Sequence, residues 1–200
     1  MQSSNQIALQ IALKEWAIVV HALSEGSQIF LLRKGGVAEA DGEFRLEARE
    51  FFLYPTWEHQ QEALLQPRYV PLFRSHPPSQ PGGELRFEHY GVVTDVWPAP
   101  ALARIKAVSA EFIWNEALLE KRYAYKPQLP LAVLVLRVYR LPGPLRVPLL
   151  DRYAGCRSWV ELEEALPTEG AEPILDDSAF ERRREALRDQ LVARAVAGYA

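Results

Sequence analysis

The segment Arg33-Lys34-Gly35-Gly36 places two cations and two glycines directly after a run of apolar residues. Cations at a strand end, followed by glycines whose backbone amides can face a ligand, are typical of anion-binding turns. The segment therefore predicts a site for a phosphate or another anion. The alternative interpretation is a polar turn with solvated charges, because glycine pairs are common in turns.

A carboxylate and an imidazole stand side by side at Glu58 and His59. These groups could serve as general acid and base, or as metal ligands. Neighbouring residues of a helix point about 100° apart, so the pair would reach one target only if the backbone bends. In the alternative interpretation, Thr56 caps a helix and Glu58 stabilises the positive end of its dipole.

A third candidate is a basic and aromatic surface, in which the stretch Arg122-Tyr-Ala-Tyr-Lys126 precedes a strand that carries Arg137 and Tyr139. Residues two positions apart in a strand point to the same face, so Arg137 and Tyr139 share one surface. Together with Tyr125, this surface could hold a phosphate and stack a base. The alternative is that the tyrosines cover a sheet edge while the arginines extend into water.

The sequence contains no motif for a cofactor or a metal ion. The histidines and the one cysteine, Cys156, lack the spacing of zinc ligands. There is no G-x-S-x-G nucleophile motif, no phosphate-binding P-loop and no dinucleotide-binding G-x-G-x-x-G. We therefore expect no cofactor and no metal site.

The elements that position these candidates are read from periodicity and turn residues. The first half of the chain predicts a hairpin of strands 17–23 and 28–33, a strand over 51–54 and a helix over 57–65. The second half predicts strands over 84–97 and 130–139, and helices from Ser109 to before Pro127, from Ser158 to Pro167, and over 178–199. The proline-rich segment 66–84 indicates a loop, either a mobile lid or an ordered loop.

The C-terminal helix is predicted to lie beyond a boundary. The prolines of segment 167–173 separate a domain over residues 1–166 from a linker and helix over 167–200. Arg184 shares a helix face with Phe180 and Leu187. Because a buried face rarely tolerates an unpaired cation, either part of this face is solvated or acidic groups pair with the arginine.

Composition indicates one globular protein. The 200 residues are 48% hydrophobic and 24% charged, and elements without a βαβ rhythm predict an α+β fold. Its mainly antiparallel or mixed sheet could curl toward a barrel.

One cysteine and no membrane-length apolar run lead us to expect a cytoplasmic protein. The net charge of −3 gives no general attraction to nucleic acid or membranes, so binding to nucleic acid needs a local basic patch.

Four segments of the sequence together resemble a bacterial protein family. They are Leu13-Lys-Glu-Trp16, Leu31-Leu-Arg-Lys-Gly-Gly36, Leu53-Tyr-Pro-Thr-Trp-Glu-His-Gln60 and Pro130-Leu-Ala-Val-Leu-Val-Leu-Arg-Val-Tyr139. They are similar to the domain of unknown function number 1802, over about residues 12–165. Some members resemble partners of restriction-endonuclease-like domains, so the resemblance implies a link to restriction–modification. It implies no activity and assigns no role to a residue.

Three functional hypotheses follow. In the first, the chain is an accessory module that binds nucleic acid or a phosphate anion through the cations Arg33, Lys34, Lys126 and Arg137, with Tyr139 or Tyr125 as a stacking surface. In the second, it is a small enzyme in which Glu58 and His59 act beside an anion clamp of Arg33 and Lys34. In the third, it is a structural subunit that forms a homodimer through residues 178–199.

Overall fold

The computed structural model describes residues 8–34, 46–75, 82–155 and 157–192. Its strands are β1 (Ala8–Trp16), β2 (Phe30–Arg33), β3 (Glu50–Thr56), β4 (Glu84–Pro98), β5 (Ala132–Pro148), β6 (Trp159–Pro167) and β7 (Glu172–Pro173). Its α-helices are α1 (Ala17–Ser24), α2 (Val70–Ser75), α3 (Leu102–Ala107), α4 (Glu116–Ala124) and α5 (Asp177–Leu191). The predicted α+β class is confirmed.

All the described strands belong to one mixed sheet. Its order is β2-β5-β4-β3-β1-β6, and β7 adds a short pairing to β5. β1 and β3 run parallel, whereas the other neighbouring strands are antiparallel. β2 and β6 form the two ends of the sheet, so it is open and does not close into a barrel.

Both faces of the sheet are buried. Along β3, Phe51 and Leu53 pack into a core that includes α1, α4 and α5, whereas Phe52 and Tyr54 pack into a second core. This alternation follows from the two-residue period of a strand. A seven-residue strand without exposed apolar residues therefore lies at the centre of the molecule.

Residues Ala17–Ser24 form helix α1, so the predicted strand over 17–23 and its hairpin are wrong. A short apolar run fits a buried helix as well as a strand, and periodicity alone does not separate the two. The parallel pairing of β1 with β3 favours the helix, because parallel strands need a crossover connection. The turn after α1 uses Gly26 at a φ of +64°, where a Cβ would lie 2.8 Å from Leu175.

The predicted helix over 57–65 is also wrong. The chain turns at Glu58 and His59, and only Glu62–Leu64 form a 3₁₀ turn. Thr56 still acts as a local cap, because its Oγ1 accepts a hydrogen bond from the Glu58 N–H at 3.3 Å. A Ser/Thr residue can stabilise a tight turn in the same way as a helix start, so the sequence signal did not distinguish them.

The segment after Ser158 forms strand β6, not the predicted helix. Trp159, Val160 and Leu162 are buried, and the strand pairs with β1. The capping-box pattern here is outweighed by this pairing, because local preferences yield to tertiary contacts. The predicted helix from Ser109 is divided into a 3₁₀ turn, Ser109–Glu111, and helix α4.

The predicted loop over 66–84 is partly helical. It contains a 3₁₀ turn over Pro67–Tyr69, then α2. Residues 76–81 lie outside the described residues, so the choice between lid and ordered loop stays open there. Strands 28–33, 51–54 and 84–97 were predicted within a few residues of β2, β3 and β4, whereas β5 continues nine residues beyond the predicted end at 139.

Helix α5 packs on the first core. Phe180, Leu187 and Leu191 are each 2% exposed. Asp176, not the predicted Ser178, is the N-cap, and its Oδ1 accepts from the Ala179 N–H at 2.7 Å. The predicted continuation to residue 199 lies outside the described residues after position 192.

An acidic partner meets the arginine on this face of α5. Arg184 donates from Nε and Nη2 to the two carboxylate oxygens of Asp95 at 2.5 and 2.7 Å. Burial raises the pKa of Asp95, but the bonds from Arg184 and from Thr94 outweigh it and hold the pKa below its ordinary value. Of the two accounts of the arginine on this face, pairing with an acidic group is therefore the one observed for Arg184.

Candidate functional site

A cleft of about 490 Å³ lies where the chain leaves β1, β2 and β3. Its charged and polar lining residues are Lys14, Glu15, Arg33, Lys34, Thr56, Glu58, His59, Lys121, Arg122, Arg157 and Ser158. Leu118, Lys121 and Arg122 of α4, together with Gly155, Arg157 and Ser158, complete the walls. Long-range strand pairing therefore brings together residues that are more than a hundred positions apart.

The cleft is strongly cationic. Six lysines and arginines line it against two carboxylates, an excess of four positive charges with His59 neutral. The whole chain carries a net charge of −3. The cations are therefore concentrated at one place, and a low-dielectric wall around them strengthens their field.

Two aromatic side chains stand among these cations. Trp16 is half-buried at the end of β1, and Tyr125 directly follows α4 with 42% of its surface exposed. Aromatic faces that are open to a cleft can stack on a planar ligand. The cleft thus combines positive charge with flat apolar surfaces.

Arg33 is held by a buried partner. Its Nη1 donates to Oε2 of Glu15 at 3.1 Å and to the backbone oxygen of Lys14 at 3.3 Å. Only 8% of Arg33 and 4% of Glu15 is exposed. Oε1 of Glu15 also accepts a hydrogen bond from the Trp16 N–H at 2.8 Å. Arg33 therefore joins β2 to β1. It contributes positive charge to the cleft more than it contributes hydrogen-bond donors.

Lys34 caps a helix. Its Nζ donates to the backbone oxygens of Arg122 and Tyr123, each at 3.3 Å, in the last turn of α4. A cation here satisfies free carbonyls and opposes the negative end of the helix dipole. Burial lowers the pKa of Lys34 below its ordinary value. Lys34 is thus part of the scaffold as well as of the cleft wall.

Three cations of the cleft differ from these two. The side chains of Lys121, Arg122 and Arg157 form no hydrogen bond or ion pair with the residues that the structure describes. Burial lowers the pKa of Arg122, and nearby Arg33 lowers it further while Glu15 opposes the change. An arginine remains charged at neutral pH even so. These three side chains can therefore donate to a ligand.

Lys14 ties the cleft floor to the opposite wall. Its Nζ donates to the backbone oxygens of Tyr153 and of Gly155, the latter at 3.0 Å. It also lies 5.3 Å from the ring centre of Tyr54, where a cation–π attraction operates. Burial, with smaller contributions from Glu58 and Tyr153, raises the pKa of Tyr54 to about 12.

Glu58 and His59 form an exposed rim of the same cleft. His59 has a φ of 62°, in the left-handed region that a non-glycine residue rarely adopts. The structure therefore places both predicted candidate pairs, Arg33 with Lys34 and Glu58 with His59, around one concavity. The turn, not a helix, brings the carboxylate and the imidazole there.

The third predicted surface lies elsewhere. Arg137 forms an ion pair with Asp177 and lies over the ring of Phe180 at 5.4 Å, so it holds α5. Tyr139 stacks on Tyr90 with ring centres 4.9 Å apart. Neither residue lines the cleft, so the predicted union of these two side chains with Arg33 and Lys34 is not observed.

The remaining predicted residues are close to the cleft or outside the described part. Lys126 has its Nζ 5.4 Å from the ring centre of Tyr125, which lines the cleft, so Lys126 lies at the margin. Gly35 and Gly36 lie outside the described residues.

Sequence reasoning did not select four of the charged residues that line the cleft. They are Lys14, Glu15, Lys121 and Arg157. Lys14 and Glu15 belong to a segment that indicated the family, and Arg122 belongs to the third predicted candidate. No local motif marks the others, because solvated lysines and arginines are the usual content of a helix surface.

Two further kinds of feature are absent from the described parts of the chain. No cluster of three or more histidine, cysteine, aspartate or glutamate side chains suited to a metal ion occurs there. No helix there has the length and apolar character needed to cross a membrane.

Comparison with known proteins gives a family and a distant structural likeness. No match is found among curated proteins. Among solved structures, a mutant of the ZmASCH protein from Zymomonas mobilis is similar, with 11% identity, coverage of 88% of this chain and 94% of that chain, and a TM-score of 0.42. A likeness at this level carries no argument about function. The family model described as Domain of unknown function (DUF1802) matches residues 12–186, and the chain therefore belongs to this family.

Proposed function

We propose that the chain is a binding module for single-stranded nucleic acid, and that the cleft holds a phosphate and its attached nucleotide. The observation that carries the proposal is the convergence of Lys121, Arg122 and Arg157 on one cleft without protein partners among the described residues. Lysine and arginine donors of this kind bind phosphate oxygens through charge-assisted hydrogen bonds.

The aromatic lining supports a nucleotide over a bare anion. Trp16 and Tyr125 offer ring faces beside the cations. Stacking of bases on such rings tolerates any sequence and needs unpaired bases. A volume of about 490 Å³ lies in the range of small-ligand sites and suits part of one strand.

The net acidic composition fits a module with one basic site. Outside the cleft the surface has an excess of negative charge, which opposes binding of a polyanion at other places. An accessory role in restriction–modification, which the family resemblance implies, agrees with such a module and rests on family association alone.

Titration of labelled oligonucleotides tests the proposal. Single- and double-stranded DNA and RNA are titrated at low salt, and fluorescence anisotropy reports binding. We expect Arg122→Ala to weaken single-strand binding about tenfold or more, because one charge-assisted hydrogen bond contributes about 1.5–3 kcal/mol. Arg146→Ala, an exposed arginine that pairs with Glu84, is the matched control. Absence of binding at low salt by the unaltered protein would overturn the proposal.

A second candidate function is a small enzyme. The favouring observation is that Glu58 and His59 line the same cleft as Arg33 and Lys34. A histidine and a carboxylate can exchange protons with a bound phosphate ester, while the cations stabilise negative charge in the transition state. The two candidate functions share one site and differ in whether the bound ligand is transformed.

Turnover separates the two functions. Phosphate mono- and diesters with a chromogenic leaving group are incubated with the protein and with His59→Gln and Glu58→Gln. An enzyme would lose turnover in these variants while ligand affinity stays the same. The enzyme hypothesis fails if the unaltered protein has no turnover, or if both variants retain all of it.

The homodimer through residues 178–199 has less support. The apolar face of α5, formed by Phe180, Leu187 and Leu191, is buried against the protein's own sheet. A dimer would have to use the charged face of the helix or residues beyond it. Comparison of the solution mass of the full chain with that of a chain truncated after Asp177 tests this hypothesis. The same number of chains per particle in both proteins would exclude it.

A further inference from the structure

A second hollow, of about 420 Å³, lies directly beside the cleft and shares Arg157 with it. Residues of β1, of the 3₁₀ turn Asp151–Tyr153 and of β6 line it. Lys14 on the cleft floor donates to the backbone oxygens of Tyr153 and Gly155. Tyr153, Gly155 and Arg157 therefore form the wall between the two hollows, and Arg157 borders both.

The second hollow is polar but electrically balanced. Arg152 and Arg157 face Glu161 and Glu163 there, and Arg152 pairs with Glu163 at 3.1 Å. This pair has 53% and 55% of its side-chain surface exposed, and an ion pair in such a position has little net stability. Arg152 can therefore exchange its partner for a ligand. A neutral polar hollow accommodates a base and a sugar better than a second phosphate.

The two hollows follow each other along β1. Gln10 lines the second hollow and Lys14 lines the cleft, and both lie on β1. Four residues of a strand span about 13 Å. The residues that line the two hollows therefore extend along this length of β1, which two consecutive nucleotides can follow.

We propose that the two hollows form one binding path for at least two consecutive nucleotides, with the phosphodiester between them bound at Arg157. This inference rests on the proposed function and names its ligand as an oligonucleotide strand, not a mononucleotide. The nucleotide in the cleft contributes charge contacts, and its neighbour contributes polar contacts in the second hollow. Arg157 is the residue common to both.

Ligand length tests this inference. The unaltered protein is titrated calorimetrically with a mononucleotide, the matching dinucleotide and a longer strand, each in ribose and deoxyribose form. We expect the dinucleotide to bind about tenfold more tightly than the mononucleotide, the gain typical of one added base contact. Arg152 lines the second hollow and not the cleft, so Arg152→Ala should remove most of this gain and lower mononucleotide affinity by a smaller factor. Arg146→Ala should keep both affinities.

The outcomes distinguish this inference from the proposed function. Equal affinity of the unaltered protein for mononucleotide and dinucleotide would overturn the two-hollow path while the cleft site stands. A full dinucleotide gain in Arg152→Ala would also overturn it. Absence of binding by every ligand would overturn both the path and the proposed function.

Discussion

The salt dependence of binding provides a quantitative test of the cleft. The perturbation is the double variant Lys121→Ala, Arg122→Ala, which removes two of the three cleft cations without a partner among the described residues. Each side chain that neutralises a phosphate of a single strand contributes about −0.7 to the slope of log K against log salt. Of these three cations, only Arg157 remains in the variant.

The magnitude follows from this count. Three contacts give a slope of about −2, so affinity falls about 18-fold between 50 and 200 mM salt. One contact gives a slope of about −0.7 and a fall of about threefold over the same range. The difference is well outside the error of a titration. Affinity at the lower salt concentration falls as well, because two charge-assisted hydrogen bonds are lost.

The assay is a fluorescence-anisotropy titration of a labelled single strand at several salt concentrations. The control is Arg86→Ala, Arg146→Ala, which changes the net charge equally at a cross-strand pair outside the cleft. Circular dichroism and thermal unfolding verify the fold of both variants. An unchanged slope in the cleft variant, or an equal change in the control, would refute the reasoning.

Three further results are expected. Arg33→Ala should lower the free energy of unfolding by about 3–5 kcal/mol, because it leaves the buried Glu15 unpaired, and a loss below about 1 kcal/mol in urea unfolding would contradict this. Tyr54 should titrate near pH 12 in ultraviolet absorbance, since its pKa is raised above the ordinary 10. The contribution of neutral Tyr54 to the free energy of unfolding is therefore complete below pH 10 and is lost as the pH rises to about 12. If the difference in free energy of unfolding between the unaltered protein and Tyr54→Phe did not change over this pH range, the assignment would be contradicted. Asp95→Asn should cost about 1–3 kcal/mol through its bonds to Arg184, and the difference should vanish as the pH falls through the lowered pKa of Asp95 in acid unfolding.

The strands of the sheet were the most predictable part of the fold. β5 contains the apolar run Val133–Leu136, and β4 alternates between buried and exposed residues at Leu85 and Phe87. These patterns are local and follow from burial on one or both faces. The pairs Arg33-Lys34 and Glu58-His59 lie at or shortly after the ends of β2 and β3, and the ends of these strands were readable from the sequence.

Helix α1, which begins the crossover between the parallel strands β1 and β3, was not predictable from the local sequence pattern. Ala17–Ser24 has the composition of a strand, and only the parallel pairing of β1 with β3 makes a helix suitable there. The cleft depends on the same pairing, because it brings Lys14 to the side of Tyr54. Contacts across so many residues are set by topology, which a one-dimensional pattern does not contain.

The roles of individual cations were not predictable either. Arg33 and Lys34 have the sequence signature of an anion site, but Glu15 and the last turn of α4 occupy their donors. Lys121 and Arg122 look like ordinary solvated residues of a helix, and they point into the cleft without partners in the described structure. A sequence gives the charge of a residue, whereas the partners of that charge depend on the packed neighbours.

The buried carboxylate of Glu15 explains how the fold tolerates this concentration of cations. Six positive side chains around one cleft repel each other, which opposes the folded state. Glu15 lies beneath them, pairs with Arg33 and attracts Arg122, so it offsets part of this repulsion from inside the protein. The remaining excess faces solvent, where salt ions screen it and a ligand with negative charge can neutralise it. A cluster with a purely structural role would be more stable with a second buried carboxylate. The uncompensated positive charge of the residues that line the cleft therefore favours a binding role.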